Sequence, residues 1–411
     1  MNRLHIAQFT NMYHPVINGV VRSVSAFKHA LSEMGHNVFV FSHHESGFVD
    51  QEPFVFRYPS LDMNLAGNIP AVIPVSPTVD RILPALKLDI IHAHHPVILG
   101  ETAASKAKKL DTPLVFTFHS QYQEYSRYIP LPQKGVQNFA RDMIHFLVGE
   151  FIQRCHHIVV PSQGIHKILV DDYGLSKGAT VIPTGIDLNL FQHLDSTRMR
   201  AEQGWGDQKI LISIGRLTKE KNWRTILEAS AKAVRKQPDL RLVIIGDGPE
   251  RSDLIEFAQD LGIASQVDFL GVIPFEEIPH YLAAADCFIF ASIAETQGLV
   301  TLEAIAAGLP VVAVNATGTS DIVRDGIEGF TTENNSESLA AAVLRMFENT
   351  GTLARFKPAA LARAKNFEIG QLAKRMEAVY TQSIEDHKRG QFIQIENQKP
   401  IHLKIIESVR R

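Results

Sequence analysis

The chain has only two cysteines, Cys155 and Cys287, each inside an apolar, strand-like stretch (CHHIVV and DCFIFA). That placement suits buried side chains in a reducing compartment and speaks against a disulfide framework or a zinc site. Nowhere does an apolar run approach the roughly 18 residues a membrane-spanning helix needs. The opening MNRLHIAQFT is too short in apolar residues for a signal peptide. An excess of one charge is missing as well: 41 Lys+Arg stand against 44 Asp+Glu, a formal charge of -3. That balance excludes a basic nucleic-acid binder, and attraction to an anionic membrane has to come from a local patch. Short-period repeats and low-complexity tracts are absent too. A cytoplasmic protein is expected, with the oligomeric state open.

What is present is ample material for buried cores. Apolar residues make up 45% and charged residues 21% of 411 positions, a length that suits two or three domains. Short apolar runs alternate with amphipathic segments along almost the whole chain, which predicts doubly wound α/β architecture with parallel sheets. LHIAQFT, NVFVFS, DIIHAHH, PLVFTFH and HHIVVPS read as strands of a first domain over 1–188. A second series (KILISIGR, LRLVIIGDG, QVDFLGV, CFIFAS, PVVAVN, GFTT) reads as a second domain over 189–366. Between them, 184–194 is expected to be a hinge, with Gly185 free to take positive φ and Pro183 stiffening its entrance. A helix over about 367–389 is expected to pack back on the first domain. Residues 390–411 show no clear period and are left unassigned.

In open α/β sheets ligands bind beyond the carboxyl ends of the strands, so the residues after each strand are the candidates. Arg216 and Lys221 follow one strand, Asp247-Gly248-Pro249 another, and Glu295 a third. In ETQGLVTLEA, Glu295 and Glu303 bracket Gly298, where a helix should begin. Amides of Gly298, Leu299 and Val300 at a helix N-terminus can hold phosphate oxygens. Glu295 can accept from sugar hydroxyls and Glu303 from a ribose diol, although a Glu decorating an ordinary helix fits Glu303 on pattern alone. Arg216 and Lys221 can neutralise a departing diphosphate. His92, His94 and His95 do not make a metal site: 92 and 94 share a strand face, 95 points away, and no carboxylate follows at ligand spacing.

Four motifs in order, GRL-x3-K (215–221), GDGP (246–249), FLG (269–271) and E-x7-E (295–303), resemble the retaining glycosyltransferases of family 4. YHPVINGVVRSV, DIIHAHHP and VIPTGID in the first half agree with that resemblance. It implies the GT-B fold, two Rossmann-like domains facing each other across a cleft. It also implies a hexosyltransferase in which Arg216 and Lys221 contact the donor diphosphate, Glu295 the transferred sugar and Glu303 the ribose. Gly19 would let the first loop approach the β-phosphate, Gly248 and Gly298 would serve donor binding, and His119 would lie beside the reacting sugar. Within the family, Thr296-Gln297, NGVV (18–21) and FTFHSQYQEYSRYIP (116–130) are similar to bacterial diacylglycerol glucosyltransferases.

The resemblance implies retention of configuration, and because both candidate glutamates fall on the donor side, leaving a covalent glycosyl-carboxylate intermediate without an obvious nucleophile, front-face substitution is expected. The scheme needs no cofactor or metal beyond a nucleotide sugar donor, taken as UDP-glucose, with a lipid such as 1,2-diacylglycerol as acceptor and anionic lipid as a possible activator. The alternative is a soluble acceptor, such as a sugar phosphate or polysaccharide, or another nucleotide hexose. Acceptor or membrane contacts are expected at Tyr122, Tyr125, Arg127 and Tyr128. An apolar stripe from Val136 to Ile152 follows, which reads equally as a membrane-facing helix or as a helix with one face in the core. Peripheral association with the inner face of the plasma membrane is the corresponding expectation.

Overall fold

The computed structural model describes residues 3–65, 69–122 and 134–396. The chain divides into two compact units, one made of residues 1–185 and 369–411 and the other of 186–368.

In the first unit the chain runs β1 (His5–Phe9), α1 (Gly19–Glu33), β2 (Asn37–His43), β3 (Val55–Tyr58), a small hairpin of β4 (Ser60–Leu65) and β5 (Ile69–Val72), then α2 (Pro77–Ile82) and β6 (Ile90–Ala93). It continues through α3 (Leu99–Leu110), β7 (Leu114–Thr117), α4 (Lys134–Ile152), β8 (His157–Val160), α5 (Gln163–Tyr173), β9 (Leu175–Lys177) and β10 (Ala179–Val181). Seven strands form one parallel sheet in the order β10-β8-β7-β6-β1-β2-β3. Alternate residues of a strand enter opposite cores: Ala7 and Phe9 pack on one face and Ile6 on the other. This is why the strands read as nearly continuous apolar runs.

The second unit contains α6 (Ser196–Gln203), β11 (Lys209–Ile214), α7 (Trp223–Val234), β12 (Leu240–Ile245), α8 (Arg251–Asp260), β13 (Val267–Gly271), α9 (Ile278–Ala284) and β14 (Cys287–Phe290). Then follow α10 (Leu299–Ala306), β15 (Val311–Val314), α11 (Thr319–Ile322), β16 (Gly329–Thr332), α12 (Ser336–Met346) and α13 (Thr350–Ala364). Its six strands are parallel in the order β13-β12-β11-β14-β15-β16. Ile210, Ile212 and Ile214 enter one core and Leu211 the other, so this sheet too is covered on both faces.

After residue 368 the chain rejoins the first unit as α14 (Ile369–Lys388). Its Leu372, Ala373, Met376, Val379 and Tyr380 recur at helical spacing and bury against Ile6, Ile90, Val115 and Val159 of the sheet and Phe27 and Leu31 of α1. A last two-residue strand, β17 (Gln394–Ile395), pairs antiparallel with β9. Gly185 differs from its expected role. It is not among the positive-φ glycines; a Cβ there would come within 2.7 Å of Ile369 Cα. Close approach of α14, and not a left-handed turn, is what requires glycine. Both cysteines are fully buried, and burial pushes their thiols up.

Candidate active site

In the second unit β11, β12 and β13 grow one way from β11, and β14, β15 and β16 grow the other way. The sheet therefore reverses between β11 and β14, the place where doubly wound sheets open a crevice at their carboxyl ends. The loops leaving these two strands are tied together. Asn222 Nδ2 donates to Ala291 O (3.3 Å), and Ser292 Oγ donates to Glu220 O (3.3 Å). Across this junction Lys221 Nζ forms an ion pair with Glu295, both side chains being mostly buried at 20% and 15% exposure. Asn222 was not singled out from the sequence. Its left-handed φ of 59°, which asparagine tolerates better than most residues, sets the exit of the Lys221 turn into α7.

Arg216 has a different partner from Lys221: its side chain is 71% exposed and its guanidinium lies 3.7 Å from Glu220, while Lys221 pairs with Glu295. Gly248 has a structural reason of its own: a Cβ there would lie 2.5 Å from Leu217 O. Leu217 N–H donates to Asp247 O (2.9 Å) and Glu250 N–H to Leu217 O (3.1 Å), so the GRL and GDGP motifs are two sides of one knitted rim.

Gly298 caps α10 with φ 82°, a conformation glycine adopts without strain. Its carbonyl accepts from Thr301 N–H (3.0 Å) and Leu302 N–H (3.2 Å), so the amides of Leu299 and Val300 precede the first intrahelical bonds and point out of the helix end. Glu303 lies one turn further along and is 2% exposed. A carboxylate buried in a helix that otherwise reads LVTLEAIA is not what packing alone selects. The structure thus brings Lys221, Glu295, Gly298, Leu299, Val300 and Glu303 to adjoining strand ends of one unit.

The first unit has its own reversal, between β1 and β6. Asn11, just beyond β1, joins the two strand ends: its N–H donates to His95 Nδ1 (3.1 Å), its Nδ2 to Val97 O (3.2 Å), and its Oδ1 accepts from Leu99 N–H (3.0 Å). His119, two residues past β7, is buried, with Nε2 2.9 Å from His94 Nδ1. His92 sits between Tyr380 Oη (2.8 Å) and Thr117 Oγ1 (2.7 Å). Burial lowers all four histidines, His92 to about 3, His95 to about 4, and His94 and His119 well below their ordinary value. Gly19 is the first residue of α1, exposed, behind the Asn18 cap whose Oδ1 accepts from Val20 and Val21 N–H at 3.0 Å each.

Of the residues expected to make acceptor or membrane contacts, Tyr122 is instead a core ring, edge-on to Phe118 at 5.0 Å and buried with Phe116. Tyr125, Arg127 and Tyr128 lie outside the described residues. Helix α4 is apolar on two sides. Val148, Phe151 and Ile152 enter the core, while Phe139, Met143 and Leu147, four residues apart, are exposed.

Residues 195–363 match the model of glycosyl transferases group 1, and residues 17–190 that of glycosyltransferase family 4. The alpha-monoglucosyldiacylglycerol synthase of Streptococcus pneumoniae is 33% identical over 79% of this chain and 74% of its own length. The chain belongs to the GT-B glycosyltransferases of family 4. The enzyme is a hexosyltransferase. A second alpha-monoglucosyldiacylglycerol synthase, from Acholeplasma laidlawii, is 28% identical over 94% of this chain and 99% of its own. The fold is shared with the Anabaena HepE protein solved with UDP and glucose, at a TM-score of 0.74 and 20% identity over 92% of this chain and 99% of that one. Among the described residues of the hexosyltransferase, no helix is long and apolar enough to cross a membrane.

Proposed function

We propose that the enzyme transfers α-glucose from UDP-glucose to 1,2-diacylglycerol or a similar lipid, with retention of configuration. The observation that carries the donor half is the Lys221–Glu295 pair at the β11/β14 reversal, beside the free amides that open α10. In this reading the diphosphate lies against the α10 N-terminus, where the amides and helix dipole favour negative charge. Lys221 leaves Glu295 for the diphosphate, with Arg216 swinging in from the rim, and Glu295 turns to a sugar hydroxyl. Glu303 accepts from the ribose, Gly19 leaves room for the β-phosphate, and His119 contacts the sugar.

In the chemical step the bond between the sugar's anomeric carbon and the β-phosphate oxygen breaks, and the acceptor hydroxyl oxygen bonds to the same carbon from the same face. The acceptor's proton passes to the departing phosphate oxygen, giving glucosyl lipid and UDP. Lys221 and Arg216 stabilise the charge that develops on that oxygen, and cationic groups placed in advance act most strongly where water is excluded. No metal enters the scheme.

The lipid half is supported by the two relatives named for diacylglycerol glycolipid synthesis. It is also supported by the exposed Phe139, Met143 and Leu147 stripe, a surface that an interfacial helix buries in lipid. The test is incubation of purified enzyme with radiolabelled UDP-glucose, with and without diacylglycerol in anionic micelles, followed by organic extraction. Label entering the organic phase only with diacylglycerol supports the reading. Label remaining in water while UDP is released removes the lipid acceptor and points to a soluble one.

A further inference from the structure

His94 is the ring of the HAHHP segment to which the donor reading gives no task, yet it is almost completely buried and bonded to His119. The two rings lie edge to edge and nearly in one plane, centroids 5.2 Å apart and 26° between planes, and His92 stacks against His94 at 4.4 Å. His92 is itself held at both nitrogens by Tyr380 and Thr117, so His94 rests on a fixed ring.

Burial keeps His94 and His119 neutral near pH 7, so each ring carries one N–H and one lone pair. Two proton arrangements satisfy the 2.9 Å bond between His94 Nδ1 and His119 Nε2. If His119 donated, His94 would carry its own proton on Nε2, a buried atom that no protein group among the described residues reaches. If His94 donates from Nδ1, only a bare lone pair is buried at Nε2. A buried donor without an acceptor is rarer than a buried acceptor without a donor.

We propose that His94 is a positioning residue that fixes His119 in the Nδ1–H tautomer, so that His119 meets the transferred sugar only as a hydrogen-bond donor and never as a base. The proposal rests on the sugar contact assigned to His119 above. With Nε2 accepting from His94 and Nδ1 protonated, neither nitrogen of His119 has a lone pair for the acceptor's proton. That proton has to leave by another route, which front-face substitution supplies through the phosphate oxygen.

The full-length enzyme labelled with imidazole-15N histidine is recorded in long-range 1H–15N spectra at neutral pH, the His119 signals being identified by their loss in His119→Gln. A protonated Nδ1 and bare Nε2 are expected; a protonated Nε2 overturns the proposal. This spectrum reads the ring itself and decides the matter whether or not UDP-glucose is the donor. In His94→Phe, which keeps a ring against His92 but removes the donor, His119 is expected to lose its Nδ1–H preference. Turnover with UDP-glucose is expected to fall about tenfold with little change in donor KM, the cost of one misplaced hydrogen bond. His94→Asn, whose amide nitrogen sits near the lost Nδ1, is expected to restore most of it. A His119 pattern unchanged in His94→Phe overturns the proposal.

Discussion

Lys221 and Glu295 stand 74 positions apart in sequence and meet because β11 and β14 are neighbours in the sheet. In the proposed scheme their pairing holds each charge against the other until a diphosphate competes for the lysine. Lys221→Ala is expected to lower transfer by roughly 10² to 10³-fold, as loss of one fixed transition-state charge does, and to weaken UDP binding in calorimetric titration. Glu295→Ala is expected to lose transfer to a similar degree, yet to bind UDP about as well as the parent, because the proposed scheme gives it the sugar as its partner. The sequence placed both residues just beyond strand ends, and their pairing across the β11/β14 junction needed the strand order that only the structure shows. The His92, His94 and His119 cluster was not legible as a unit: it needs the β6–β7 register and a tyrosine from the far end of the chain.

Among the elements, strands were the easiest to read, since both faces of each sheet are covered and the apolar runs are unbroken. The rim motifs were read as donor-binding from their residue types, and the part invisible in sequence was their mutual packing. Gly248 illustrates this, being fitted to the Leu217 backbone. Gly248→Val is expected to lower stability by about 1–3 kcal/mol in urea unfolding without any nucleotide present, because overpacking against backbone cannot relax through a side chain. At the other end of the same logic, Asn18→Ala removes two accepted N–H bonds at the start of α1 and is expected to cost about 1 kcal/mol. Helix α4 shows why the membrane question stayed open in sequence: its apolar residues serve both a core face and an exposed one, and spacing alone does not separate the two.

At the level of the whole molecule, the first unit is completed only by residues that follow the second. Its sheet has one face covered by α1 and α14, and Tyr380 of α14 also reaches His92. Stability should carry the mark of the buried histidines. His92 titrates at about 3 and His95 at about 4 when folded, against 6.5 for the ordinary group. Between those values the unfolded chain binds protons that the folded chain refuses, so stability rises with pH in that window and falls on acidification from 6.5 downward. The loss of stability is at most roughly 5 kcal/mol for His92 and roughly 3 kcal/mol for His95, fully felt only below each folded value. Denaturant midpoints are therefore expected to drop between pH 7 and pH 5, and His95→Asn is expected to flatten the slope.

The most direct measurement is the configuration of the product. Enzyme, UDP-glucose and diacylglycerol in anionic micelles are incubated, the glycolipid is extracted, and the anomeric proton coupling is read by NMR. An α-linked glucosyl lipid is expected, formed with stoichiometric UDP and lost in Lys221→Ala. A β-linked product, or an α-linked product formed undiminished by Lys221→Ala, would contradict front-face transfer from a donor held at the β11/β14 reversal.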